Sequence, residues 1–268
     1  MTKKEALSIV FSCAPLYKEN LVDRSLLFIT TDKHKNVHCL EVTFDIGNFL
    51  HMTGFKLRKP GINARHFFNL CYDKRLTEAD FEFSTDGTTE MKMRVLPSLM
   101  KKNLSAKMLG DYNMSQPKLY TDKIAGSLSA CMGFVRDGGE GRFVPNTVLE
   151  GDIRTKVKAA DRIIATYRKS RSEEQYSEIV FTAKKVEWGK IVLPDEYSYL
   201  VLPEQQNNAR PPVEVSIHGE RAFCVFFRFI ESIRLVVFAQ PIVWLHNRLM
   251  PNQSTASTPP IAGHAAIL

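Results

Sequence analysis

His51 and Thr53 stand two residues apart in Asn48-Phe49-Leu50-His51-Met52-Thr53-Gly54. Histidine is the side chain best suited to giving and taking a proton near neutral pH. In an extended chain, residues i and i+2 share a face. His51 and Thr53 are therefore expected to project together, with Leu50 and Met52 anchoring the other side and Gly54 permitting a sharp turn or close approach of a ligand. A histidine in an apolar segment is also a common satisfied core residue. The same spacing recurs at Lys118 and Tyr120, where an ammonium and a phenol on one strand face would hold a phosphate and orient a nucleophile. Asn146 and Thr147 follow Pro145, which suits a strand edge or a bulge that re-aims side chains. The alternative is a turn in which Asn146 bonds its own backbone. Arg154 offers a bidentate phosphate contact, or else pairs with Asp152 or Glu150 at the surface. Lys123 near a strand end, with Arg168, Lys169, Lys184 and Lys185 on the last two strand-like runs, reads either as a basic strip for a polyanion or as the solvated face of a half-buried sheet.

The elements that must position these groups follow from periodicity. Residues 3–22 repeat apolar residues at helical spacing, with Pro15 an irregularity in the second half. Residues 25–31 and 36–44 are strand-like and joined by the charged turn Asp32-Lys33-His34-Lys35, which predicts a hairpin. Residues 64–71 read as helix, Thr77-Glu78-Ala79-Asp80 as the cap of a short one, and residues 86–102 as another containing Pro97. Phe67 and Phe68 belong to a core rather than to a base-stacking surface. Strand candidates follow at 106–112, 119–124, 127–135 and 142–148, then a short helix bearing Arg154, then strands at 162–169 and 179–185. The reading is α+β, helices packed on an antiparallel sheet, with a divergent C-terminal tail.

Charge separates the body from that tail. Residues 1–190 carry 20 Lys and 11 Arg against 23 acidic residues, whereas from Ile191 onward five Arg face six acidic residues and no Lys appears. A basic body suits a polyanionic partner, of which nucleic acid is the commonest, or is basic for solubility alone. The expected organisation is a domain over residues 1–200, a linker over 201–221, an apolar segment over 222–250 and a disordered Ser/Thr/Pro-rich end over 251–268. The longest uncharged apolar run, residues 235–245, is too short to span a bilayer, so stable membrane insertion is not expected. Cys13, Cys39, Cys71, Cys131 and Cys224 are scattered, odd in number and outside any zinc-binding spacing, which fits reduced thiols in a cytoplasmic protein. No cysteine–histidine or carboxylate cluster calls for a metal, and no glycine-rich phosphate loop calls for a nucleotide cofactor, which leaves a cofactor-dependent transferase the weakest reading.

Taken in order, residues 48–54, Asp86-Gly87-Thr88-Thr89-Glu90, residues 118–126 (Lys-Leu-Tyr-Thr-Asp-Lys-Ile-Ala-Gly), residues 143–149 (Phe-Val-Pro-Asn-Thr-Val-Leu) and Asp152-Ile153-Arg154 resemble the phage Barnase–EndoU–colicin E5/D–RelE-like nucleases, fourth type, over roughly residues 1–190. The resemblance implies a small α+β nuclease fold and metal-independent RNA cleavage without a cofactor. It also implies a prophage or toxin-like role, RNA as partner and a possible protein inhibitor. On that resemblance the catalytic group is His51, with Lys118, Tyr120 and Arg154 on the phosphate side. Thr53, Asn146, Thr147, Lys123, Arg168 and Lys184 would contact substrate. A module with the same fold that binds RNA or protein without cleaving is the alternative.

Overall fold

The computed structural model describes residues 1–114, 120–138 and 141–203, together with the backbone of 215–217 and 220–222. It divides into two units, Met1–Pro211 and Pro212–Leu268. In the second, β11 (Val215–Ile217) and β12 (Glu220–Ala222) form an antiparallel pair. The apolar segment and disordered end expected beyond residue 222 lie outside the described residues, as does most of the expected linker.

The first unit opens with α1 (Lys3–Asn20), started by a capping box between Thr2 and Glu5. β1 (Arg24–Thr31) and β2 (Val37–Thr43) form the expected antiparallel hairpin. Next come α2 (Asn48–Thr53), β3 (Phe55–Leu57), α3 (Ala64–Tyr72), β4 (Phe81–Phe83) and α4 (Thr88–Leu99). No helix forms at Thr77–Asp80. Asp80 instead accepts from the Thr77 amide and hydroxyl and pairs with Lys59, and this turn feeds β4, which pairs with β3. Pro15 and Pro97 sit inside α1 and α4. β5 (Met108–Asp111), β6 (Lys123–Gly126), β7 (Ala130–Arg136), β8 (Phe143–Glu150), β9 (Asp161–Ser170) and β10 (Glu178–Thr182) complete the unit.

The main sheet runs β1-β2-β8-β7-β6-β5-β9-β10, and β1 also pairs with β9. The pairings therefore close into a ring of seven strands, with β10 attached to β9. The ring is antiparallel except where β2 and β8 meet at one parallel bridge, Val42 to Phe143. One face of every ring strand feeds a single core: Phe28, Val42, Leu109, Ala125, Met132, Val148 and Ile163 are buried in it with residues from all four helices. Two smaller clusters cover the other face. Leu27, Ile29 and Tyr167 pack with Leu200, and Ile124, Cys131 and Leu149 pack with Ile153 and Val157. Among the described residues no helix is long and apolar enough to cross a membrane.

Candidate functional site

The 48–54 motif is helical, not extended, and this separates its two polar groups. Residues two apart on a helix point roughly 200° from each other. His51 faces solvent, while Thr53 is fully buried, its hydroxyl donating to the Leu50 carbonyl at 2.8 Å and accepting from the Phe55 amide at 3.1 Å. Thr53 thus closes the helix and cannot touch substrate beside His51.

A six-residue helix is not stable alone, and the surroundings fix α2 at both ends. On entry, Asp45 caps the Gly47 amide at 2.8 Å, pairs with Arg65 at 2.7 Å and receives the buried Tyr17 hydroxyl on its carbonyl at 2.9 Å. Phe49 and Met52, three apart, are buried among α1, α3 and β8 residues. On exit, Gly54 turns the chain at φ +73°, and its carbonyl accepts from the Thr89 hydroxyl at 2.8 Å and the Ser84 amide at 3.1 Å. Thr89 belongs to the Asp86–Glu90 motif, so the first two motifs interlock. The Lys92 ammonium donates to the His51 carbonyl at 3.0 Å. Desolvation lowers the pKa of Lys92, against the pull of nearby Asp86. Asp86 is itself held at about 2, first by the Thr88 amide (3.0 Å), then by the Thr88 hydroxyl (2.8 Å). His51 thus presents an exposed imidazole on a helix turn whose backbone carbonyl holds the Lys92 ammonium.

The fourth motif, residues 143–149, packs beneath both, since α2 and α4 each rest on β8. A register shift opposite Gly133 and Phe134 makes Asn146 the extra residue of a bulge, as Pro145 suggested. The bulge aims Asn146 at the chain before β6: the Thr121 hydroxyl donates to Asn146 Oδ1 at 3.2 Å, and Asn146 Nδ2 donates to the Tyr120 carbonyl. Asn146 thereby positions Tyr120, whose side chain is 91% exposed. Lys118 lies outside the described residues, and β6 starts at Lys123, so Tyr120 precedes the strand and does not lie on it. Thr147 is buried beside Thr121, both methyls lying where a Cβ on Gly133 would come within 2.8 Å. It shares a sheet face with Leu149, opposite Val148, which packs with Phe49 and Met52. Thr147 and the core side of α2 are therefore on different faces of the sheet, and Thr147 does not join His51.

Three other expectations are corrected. Arg154 is spent on Asp152, with contacts of 2.6–3.1 Å, the surface pairing rather than a waiting phosphate ligand. Arg168 is buried, bonded to Glu178 at 2.6 Å and to the Asn20 carbonyl at 3.1 Å, so it braces β9 against β10 and α1. Lys184 is exposed, but β10 ends at Thr182 and Arg168 sits opposite Glu178, so no continuous strip of Arg168, Lys169, Lys184 and Lys185 forms.

A cavity of about 380 Å³ opens at one end of the ring. The inward rows Leu26-Phe28-Thr30, Val42-Leu40-His38, Leu109-Asp111, Ala125-Lys123 and Ile163-Asp161 run out of the core to this rim, each ending in a polar residue. Lys158 also lines it. Lys123 pairs there with Asp111, and His38 Nε2 lies 3.6 Å from Asp32. Burial favours a neutral Asp32, but donors from the Asn36 side chain and amide and from the His34 amide outweigh it and hold the carboxyl at about 2. Sequence reasoning missed Lys92, His38 and Lys158. For His38 the signal was available, since it shares a period-two row with Leu40 and Val42. Among the described residues no three His, Cys, Asp or Glu side chains gather as a metal site.

A family model described as phage-Barnase-EndoU-ColicinE5/D-RelE like nuclease 4 matches residues 9–185. No curated protein and no solved structure matches the chain.

Proposed function

This chain belongs to the phage-Barnase-EndoU-ColicinE5/D-RelE like nuclease 4 family, and from that premise we propose that it is a metal-independent endoribonuclease with His51 as its proton-transfer residue. The observation that carries the proposal is the Lys92 ammonium bonded to the backbone carbonyl of the exposed His51, where two family-like motifs interlock through Thr89 and Gly54. RNA brings its own nucleophile. A base takes the proton of the ribose 2′-hydroxyl, the oxygen attacks the adjacent phosphorus, and an acid protonates the departing 5′-oxygen. The products are a 2′,3′-cyclic phosphate and a 5′-hydroxyl. His51 acts in one of the two proton transfers, and Lys92 faces the charge that builds on the phosphoryl oxygens. Tyr120, held through its carbonyl by Asn146, and Lys118 two residues before it contact the substrate strand. Arg154 has a lesser part, because a phosphate would have to displace Asp152.

The test is cleavage of total cellular RNA by the full chain in excess EDTA. His51→Ala should slow cleavage by about 10²–10⁴-fold, and Lys92→Met by roughly tenfold or more, with cyclic-phosphate ends in the wild-type products. RNA bound in a salt-sensitive way but left intact by the wild type would replace this reading with the non-catalytic binding module.

A further inference from the structure

We propose that the cavity at the rim of the strand ring binds one ribonucleotide of the RNA strand, with Lys158 and Lys123 on its phosphate and Asp161 accepting from its hydroxyl or amino groups. The inference rests on the nuclease reading for the identity of the ligand, but the site is separate from His51. The cavity lies at the start of β2 and α2 follows the end of β2, so His38 and Thr43 are about 17 Å apart along the strand.

The rim is built, not incidental. Five inward rows that are apolar in the core end in Thr30, His38, Asp111, Lys123 and Asp161, all of which line this one opening. Thr30 is buried, its hydroxyl donating to the His38 carbonyl at 3.3 Å, whereas His38, Asp111, Lys123 and Asp161 keep solvent-accessible polar groups at the opening. The volume, about 380 Å³, falls within the range of small-ligand sites. Its charge is mixed. Lys123 is matched by Asp111, whereas neither the Lys158 ammonium nor the Asp161 carboxylate makes an ion pair among the described residues. Carboxylates beside the lysines disfavour a bare inorganic anion. They suit a ligand that is anionic at one end and rich in donors at the other, as a nucleotide is. A carboxylate that accepts from a ribose 2′-hydroxyl also distinguishes RNA from DNA. His38, steadied by Asp32 at 3.6 Å and half-exposed at the lip, offers a flat ring for a base.

The experiment uses the full chain and isothermal titration with inorganic phosphate, ribonucleoside 5′-monophosphates and their deoxy counterparts. A fluorescent oligoribonucleotide, titrated in the His51→Ala background so that it stays uncleaved, gives a second readout. Ribonucleotides should bind more tightly than phosphate or deoxynucleotides. Lys158→Ala should weaken both mononucleotide and oligonucleotide at least tenfold, Asp161→Asn should erase the ribo-over-deoxy preference, and Lys190→Ala, on an exposed lysine paired with Glu187, should change neither. Tight mononucleotide binding with an unaffected oligonucleotide would mark a site for free nucleotides and overturn the RNA assignment. Phosphate binding as tightly as nucleotides, equal losses in Lys158→Ala and Lys190→Ala, or no binding would each overturn the proposal. Because His51→Ala should bind mononucleotides as the wild type does, the two readings fail separately. Cleavage without rim binding removes only this one, and rim binding without cleavage removes only the nuclease.

Discussion

Gly54 and Gly87 share one backbone conformation, φ +73°, but not one environment. A Cβ at Gly87 would meet nothing within 4 Å, whereas at Gly54 it would lie 3.2 Å from Thr89 Cα, Thr89 Oγ1 and Lys92 Cδ. Substitution by alanine at either position incurs the left-handed penalty, about 1–2 kcal/mol. At Gly54 the Lys92 stem can swing away, but Thr89 Cα is backbone at the start of α4 and must shift by a few tenths of an ångström. That adds about 1–2 kcal/mol on the scale of mild overpacking. Gly54→Ala should therefore be less stable than Gly87→Ala by roughly 1.5 kcal/mol, about 3–6 °C in Tm for a unit of this size. The displacement falls on Thr89 and Lys92, which hold α2, so RNA cleavage well below Tm should drop more than tenfold in Gly54→Ala and stay within about threefold in Gly87→Ala. Calorimetry and a cleavage assay on the three proteins decide it. Equal destabilisation would refute the crowding argument. Unequal destabilisation with unimpaired cleavage in Gly54→Ala would refute the link between the α2 exit and the reaction.

Two further substitutions follow from buried charge. Asp80 is buried with its carboxyl held at about 2, first by Lys59 at 2.5 Å and then by the Thr77 hydroxyl at 2.7 Å. A depressed carboxyl contributes stability above its unfolded pKa and loses it as pH falls through the folded value. The wild type should thus exceed Asp80→Asn by roughly 2 kcal/mol at pH 6, with the gap closing between about pH 4 and pH 2; parallel stability curves down to pH 2 would refute the assignment. Arg168→Ala, which removes the buried guanidinium from Glu178 and from the Asn20 carbonyl, should cost about 1–3 kcal/mol in urea denaturation. Lys184→Ala should leave stability unchanged, and a larger cost for it than for Arg168→Ala would reverse the roles given to the two residues.

The α+β class, α1, α3, α4 and the β1–β2 hairpin were legible because each is set by local periodicity or capping, while Pro145 marked an irregularity that the sequence left open between a bulge and a turn. The 48–54 segment was not legible. Six residues hold less than two turns, so Leu50/Met52 against His51/Thr53 mimics strand alternation as well as Phe49/Met52 mimics a helix face. What decides between them is distant in sequence: Tyr17 and Arg65 at the entry, Ser84 and Thr89 at the exit. Arg168 is likewise settled by the pairing of β9 with β10, which brings Glu178 to it, whereas the Arg154 pairing with Asp152 is local and was one of the two readings the sequence offered.

The rim cavity shows where local reading stops for a different reason. Period-two rows state which residues share a face, so His38 with Leu40 and Val42, or Lys123 with Ala125, are readable from the chain. They do not state which strands are neighbours. Thr30, His38, Asp111, Lys123 and Asp161 come from five strands spread over more than 130 residues of sequence, and they meet only because β9 pairs with both β1 and β5 and so closes the ring. In a closed ring the inward rows have one apolar middle and two ends, and a polar residue that looks like an imperfection in each strand taken singly becomes, five times over, the lining of an opening.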